Sequence, residues 1–168
     1  MLIIVEGPDG SGKTTLINKL CERGYGKKIF GICKNVPNQM TLWYELITSC
    51  VDDKSNVYIM DRCYLSDWAY RLAMNDGEAC MSLTNISDLL SMKKVIYVFC
   101  KNNNAYDLAK QRGEDYVKTK EQHMKICNSY DFIYDTISKF CKECTCLKYD
   151  FEHSLLSDIT DVVRSIYE

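Results

Sequence analysis

Eight residues near the amino terminus could do chemistry together: Gly7-Pro8-Asp9-Gly10-Ser11-Gly12-Lys13-Thr14. They fit G-x-x-x-x-G-K-[ST], the pattern of a main-chain loop that holds phosphates. The glycines let the backbone turn and approach an anion with no side chain in the way. Several N–H groups then point inward at the start of a helix, whose dipole also favours negative charge. Lys13 adds a mobile cation for the outer phosphates. The Thr14 hydroxyl suits the shell of a magnesium ion, and Thr15 follows it into the helix. The predicted nucleotide-holding set is Gly7, Asp9, Gly10, Ser11, Gly12, Lys13, Thr14 and Thr15, with ATP and Mg2+ as cofactors. The bland alternative is a glycine turn that binds nothing. The lysine, the hydroxyl and the flanking strand and helix argue against it.

A second pair is Asp61-Arg62, directly after the apolar run Val57-Tyr58-Ile59-Met60. A carboxylate at a strand end can order magnesium, directly or through water. The arginine offers a forked cation to phosphate oxygens. A surface ion pair is the plain alternative, and the nearby phosphate loop is what gives the pair weight. A third segment, Gln111 to Lys120, is short, charged and hinged at Gly113. Such a flap can close over a triphosphate and exclude water; Arg112, Lys118 and Lys120 are its cations. A charged connection with no role is the competing account.

The elements that must position these residues follow from the pattern of apolar residues. Leu2 to Val5, Lys28 to Cys33, Val57 to Met60, Val95 to Phe99 and Thr145 to Tyr149 read as strands. Helices are predicted from Thr15 to about Glu22, Gln39 to Cys50, Leu65 to Asn75, Leu83 to Met92, Ala105 to Gln111, Lys120 to Lys142 and Ser154 to Tyr167, the last capped by Ser154. Near-continuously apolar strands alternating with helices mean a parallel sheet covered on both faces, an α/β fold. Ligands then sit beyond the carboxyl ends of the strands. That rule brings the loop after Val5, Asp61-Arg62 and the segment after Phe99 to one edge.

Length and charge bound the rest. The 168 residues suit one domain, and the net charge of −2 comes without a basic tract, so no nucleic-acid polymer is expected as a partner. No run reaches the length of a membrane span and no export pattern opens the chain, so a cytoplasmic protein is expected. Ten cysteines are many. With a nucleotide site they read as free thiols in a reducing compartment. Cys141, Cys144 and Cys146, with His153 nearby, resemble zinc ligands only loosely, because their spacing is irregular.

Taken together, these residues resemble the thymidylate kinase family of P-loop nucleoside monophosphate kinases, over Leu2 to about Tyr134. Glu6 to Thr15 looks like that family's phosphate loop. Asp61-Arg62-Cys63-Tyr64-Leu65-Ser66-Asp67-Trp68-Ala69-Tyr70 looks like its Asp-Arg segment, and Arg112-Gly113-Glu114-Asp115 like the start of its lid. The resemblance implies a three-layer fold with a five-stranded sheet in the order 2-3-1-4-5 and a lid at about 111–120. It also implies roles. Asp9 would bind the acceptor sugar, and Lys13 and Thr14 the ATP phosphates and metal. Asp61 would serve the metal, Arg62 would bridge donor and acceptor phosphates, and Tyr70 would line the sugar pocket. The catalytic set is then Lys13, Asp61, Arg62 and Arg112. A homodimer is a further family expectation.

The departures bear on the acceptor. Tyr116 replaces a second lid arginine, and Lys34-Asn35-Val36-Pro37 only echoes a basic-proline segment. Arg71 stands where many members have a base-reading glutamine. Trp43 can stack on a base or pack in the core. The first reading is γ-phosphate transfer from ATP to a deoxynucleoside monophosphate, dTMP above others. A deoxynucleoside kinase is the near alternative, though it needs a general base after strand two that Gly31-Ile32-Cys33-Lys34 does not offer. A guanine-nucleotide switch would want Asn-Lys-x-Asp, which Lys101-Asn102-Asn103-Asn104 does not supply. A non-catalytic nucleotide-binding regulator is the remaining alternative.

Overall fold

The computed structural model describes residues 1–32, 38–74, 91–113 and 117–167. The Lys34–Pro37 echo, the break at Asp76-Gly77, the Leu83 helix up to residue 90, and lid residues 114–116 lie outside the described residues. Ser91 and Met92, the end of that expected helix, are not helical.

Five strands form one parallel sheet: β1 (Leu2–Glu6), β2 (Lys27–Phe30), β3 (Tyr58–Asp61), β4 (Val95–Lys101) and β5 (Thr145–Asp150). Their order across the sheet is β2-β3-β1-β4-β5. The register runs Val5 beside Asp61 on one side and Glu6 beside Phe99 on the other. Lys101 pairs with Asp150, so β4 and β5 run about two residues past the end of β1, and Glu6, Asp61, Lys101 and Asp150 end their strands on the same side of the sheet. The β2 strand is shorter than the sequence predicts: it stops at Phe30, and Gly31 and Ile32 continue as irregular chain. Gly31 follows in a tight space, where a Cβ would lie 2.8 Å from the Trp43 ring and 3.2 Å from the Arg62 carbonyl.

Helices cover both faces, as α1 (Lys13–Glu22), α2 (Gln39–Asp52), α3 (Tyr64–Met74), α4 (Ala105–Gln111), α5 (Lys120–Phe140) and α6 (Leu156–Tyr167). Alternate strand residues feed two cores. Ile3, Val5, Ile96 and Val98 pack with Leu16, Ile17 and Leu20 of α1 and Ile159 and Val163 of α6. Leu2, Ile4, Tyr97 and Phe99 pack with α2, α3 and α5 through Trp43, Ile47, Leu65, Ile126 and Ile133. Period two in the strands and three to four in the helices account for this division.

Local signals set the ends. The last turn of α1 closes at Gly24, φ 76°, where Tyr25 N–H bonds the Leu20 carbonyl at 3.0 Å. The start of α5 is a capping box: Thr119 Oγ1 accepts from Gln122 N–H, and Gln122 Oε1 accepts from Thr119 N–H. The expected cap on α6 is corrected. Ser154 Oγ accepts the Asp150 N–H at 3.0 Å, one step earlier in the turn, and Asp158 Oδ2 accepts the Leu155 N–H at 2.9 Å. A serine so close to the strand end is claimed by the turn before the helix begins. Among the described residues, no helix is long and apolar enough to cross a membrane.

Two close contacts fix the carboxyl edge. A Cβ on Gly10, φ 78°, would meet the Ala105 carbonyl oxygen at 1.9 Å, so the loop lies on the start of α4. Deeper in the core, Tyr64 and Tyr97 share a hydrogen bond of 2.9 Å between fully buried hydroxyls. Gly10→Ala should lower stability by about 2–4 kcal/mol, from backbone strain plus the clash. Gly24→Ala, also at positive φ but with open space around it, should cost only about 1 kcal/mol. Tyr97→Phe strands the Tyr64 hydroxyl and should cost about 1–2 kcal/mol. The pair Tyr64→Phe with Tyr97→Phe should cost less than the sum of the singles. Urea denaturation checks all four.

Candidate active site

The site begins with a residue the sequence does not advertise. Glu6, the last residue of β1, is fully buried. Its carboxylate accepts the Cys63 N–H at 2.7 Å and the Ser66 hydroxyl at 2.6 Å, both at the start of α3. Ser66 Oγ in turn lies 2.8 Å from the Tyr130 hydroxyl on α5. Burial pushes the Glu6 pKa up, and the hydrogen bonds from Ser66 and Cys63 pull against it without cancelling it. The chain turns between β3 and α3 at Arg62, which takes φ 67°. A non-glycine residue there is strained by roughly 1–3 kcal/mol, so the surroundings must hold it. Arg62 N–H bonds the Val5 carbonyl at 2.9 Å, and the next N–H meets Glu6.

Held this way, Arg62 reaches the phosphate loop. Its Nη2 forms an ion pair with Asp9 Oδ1, and its Nη1 lies 3.4 Å from the Tyr70 hydroxyl. Tyr70 O–H donates to the other Asp9 oxygen at 3.0 Å. The guanidinium also sits over the Tyr70 ring, 5.5 Å from its centroid. Burial raises the Tyr70 phenol to about 12, so it keeps the proton it donates. From the other side, His123 Nε2 of α5 lies 3.2 Å from the Asp9 carbonyl oxygen. Three of the sequence-predicted residues, Asp9, Arg62 and Tyr70, thus form one cluster.

Lys13 is buried beside them, and its Nζ donates to the Pro8 carbonyl at 2.7 Å. Burial lowers its pKa to about 8, with Arg62 adding repulsion; Asp9, Cys100 and Asp61 pull upward. Ser11 Oγ is buried with no hydrogen-bond partner among the described residues. Thr14 is exposed, Thr15 half-buried, and Asp61 half-buried at the end of β3. A bound anion suits this cradle: a cation that burial destabilises, an orphaned hydroxyl, and glycines packed too closely for a Cβ. The Thr14 hydroxyl and Asp61 carboxylate are oxygen donors of the kind magnesium prefers.

Other predicted residues lie elsewhere. Arg112 is exposed at the end of α4, and Lys118 and Lys120 are exposed before and in the first turn of α5. Arg71 pairs with Asp67 one turn earlier, at 2.9 Å. Trp43 is 4% exposed within the core, with Gly31 against its ring. Phe151 was not foreseen: its ring would lie 2.4 Å from a Cβ on Gly12, so the β5–α6 turn walls the end of the loop. No short motif marks it; only its place after the last strand could have. Cys144 and Cys146 have sulfurs 3.9 Å apart, without a disulfide. His153 is not with them, since it follows the other end of β5 and lies 3.2 Å from Asp150.

No family model and no curated protein matches the chain. Solved structures do. YorR protein from Bacillus subtilis, in complex with phosphorylated GDP, superposes with a TM-score of 0.68 at 21% identity, over 99% of this chain and 95% of that one. Deoxyadenosine kinase from M. mycoides with bound dCTP gives 0.63 at 16% identity, over 99% and 100%. Thymidylate kinase from Candida albicans gives 0.62 at 21% identity, over 98% and 89%. The chain therefore has the fold of nucleotide and nucleoside kinases, with the strand order that the family resemblance implies.

Proposed function

We propose that this chain transfers the γ-phosphate of ATP, with magnesium, to a deoxynucleoside monophosphate, with dTMP as the preferred acceptor. The observation that carries the reading is the cluster of Arg62, Asp9 and Tyr70 beside buried Lys13, on the edge of the sheet where α/β ligands bind. The main chain from Gly10 to Thr15, with Lys13, would hold the donor phosphates. Thr14 and Asp61 would hold the metal, which when bound neutralises charge on the phosphate oxygens. Asp9 and Tyr70 would take the acceptor sugar, and Arg62 the phosphate between donor and acceptor. No residue between Pro8 and Ser11 is basic, so Arg112, Lys118 and Lys120 of the lid would bring the last cation to the transferring group. An acceptor phosphate is already largely ionised and needs no general base. The work left to the side chains is positioning and charge stabilisation.

One observation favours a second reading, a deoxynucleoside kinase: the M. mycoides deoxyadenosine kinase matches along its full length. Against it stands the segment after β2, where Gly31 and Ile32 carry no carboxylate to take a proton from a hydroxyl.

A coupled ADP-release assay against nucleosides and nucleoside monophosphates separates the two. Turnover with dTMP is expected; turnover with free nucleosides alone would transfer the assignment to the second reading. Lys13→Ala and Arg62→Ala should each lower turnover by roughly a hundredfold or more. Near-normal rates would remove the role given to that residue.

The lysine also sets a pH dependence. In the folded chain Lys13 titrates near 8 rather than 10.5, and phosphate oxygens beside it should raise that value again. Nucleotide binding should therefore take up protons around pH 8, and affinity should fall as pH rises above it, by at most about tenfold per pH unit. Below that range the ammonium is charged in both states and the dependence vanishes. Calorimetric titration in two buffers of different ionisation enthalpy checks it; zero proton uptake at pH 8 would contradict the assigned environment.

A further inference from the structure

A cavity of about 550 Å³ lies under α4, between α5 and the ends of β4 and β5. It is large enough for a small organic molecule. Lys13, Asp61, Arg62, Tyr70 and Arg112 do not line it, whereas Pro8 of the loop and Lys120 of the lid do. Two side chains make the partition. Tyr130 meets Tyr70 edge-on, at 6.4 Å between ring centroids, and lines the cavity; His123 lines it and lies 3.2 Å from the Asp9 carbonyl.

The chemistry of the walls is specific in two respects. Aromatic and soft apolar groups surround the interior: Phe99, Tyr130, Tyr106, Met124 and Cys127. Of the charged lining residues, several already have partners. Lys148 pairs with Asp131 at 3.0 Å, and Asp150 lies 3.2 Å from His153. Lys101 and Lys120 are exposed lining residues that form no ion pair among the described residues. Buried Asn102 adds a polar amide to the lining. The balance is a flat apolar interior with surplus positive charge at the mouth.

We propose that this cavity is a second small-molecule site, behind the phosphate loop, for a ligand carrying one aromatic ring and one phosphate or carboxylate group. The ring would lie among Phe99, Tyr106 and Tyr130, and the anion would meet Lys101. Because Pro8 of the loop and His123, which contacts the Asp9 carbonyl, form the near wall, a ligand there lies against the back of the loop.

The test uses the whole chain with 13C-methyl methionine, since Met124 lines the cavity and reports on it directly. Phenyl phosphate and benzoate are the two anionic probes, and benzyl alcohol is the neutral control. The expected result is a saturable shift of the Met124 methyl signal at millimolar probe, unchanged by saturating ATP. Whichever anion saturates at lower concentration assigns the head group. Lys101→Glu lies on the surface and should fold; it should weaken binding by about tenfold, the loss of one charge contact. No Met124 shift, equal binding of benzyl alcohol, loss of the shift with ATP, or unchanged affinity in that variant would each overturn the proposal. The readout does not depend on phosphate transfer, so it stands or fails apart from the reading above.

Discussion

A carboxylate buried at the end of the central strand holds the working edge of this molecule together. Removing an ionised Glu6 from water costs several kcal/mol after relaxation. Each hydrogen bond to a charged group returns about 1.5–3 kcal/mol, and Glu6 accepts two, one from a main-chain N–H and one from a hydroxyl. The group that benefits is not Glu6 but its neighbours. The first turn of α3 has N–H groups with no partner inside the helix, and an acid at that place satisfies one and complements the helix dipole. Through Ser66 the same contact reaches Tyr130, so strand, α3 and α5 share one polar junction inside an apolar core. Arg62 can then hold a strained backbone conformation, because both residues flanking the turn are tied down.

Charge is arranged around the loop in alternating layers. Glu6 lies inside, with Arg62 beside it, Asp9 paired to Arg62, and Lys13 near Arg62 and Asp9. A cation as buried as Lys13 would be a liability in a purely structural role. Its nearness to Arg62 makes the liability worse, since like charges repel in a poorly solvated space. The same arrangement is favourable once a polyanion lies beside them, because Lys13 then gains an anionic partner and its repulsion with Arg62 is offset. That asymmetry is what preorganisation means here: the unfavourable terms are present in advance, and the charge that arrives relieves them.

Much of the fold could be read from the sequence, because its signals are local. The phosphate loop sits between an apolar strand and a helix, and β3 and β4 are short, largely apolar runs, while the edge strands β2 and β5 are mixed. Strand ends moved by a residue or two, and only β2 shortened appreciably. Asp9, Arg62 and Tyr70 were singled out together only through the family resemblance. Glu6 was not, although it stands next to the motif: its partners are 57 and 60 residues away, and nothing in a glutamate at a strand end says whether it faces water. Phe151 was hidden for the same reason, since its contact with Gly12 exists only in three dimensions. Ser154 misled because turn and helix compete for one hydroxyl, and the sequence does not rank them.

The packing of Trp43 has an optical consequence. The chain has only two tryptophans. One of them lies edge to edge with Gly31, which in turn abuts the Arg62 carbonyl. Indole emission depends strongly on nearby dipoles, so a small rotation of the Arg62 peptide would register as a change in intensity or colour. The molecule thus carries its own fluorophore one residue's thickness from the turn that aims its arginine, and motions of that turn are open to stopped-flow observation without any label.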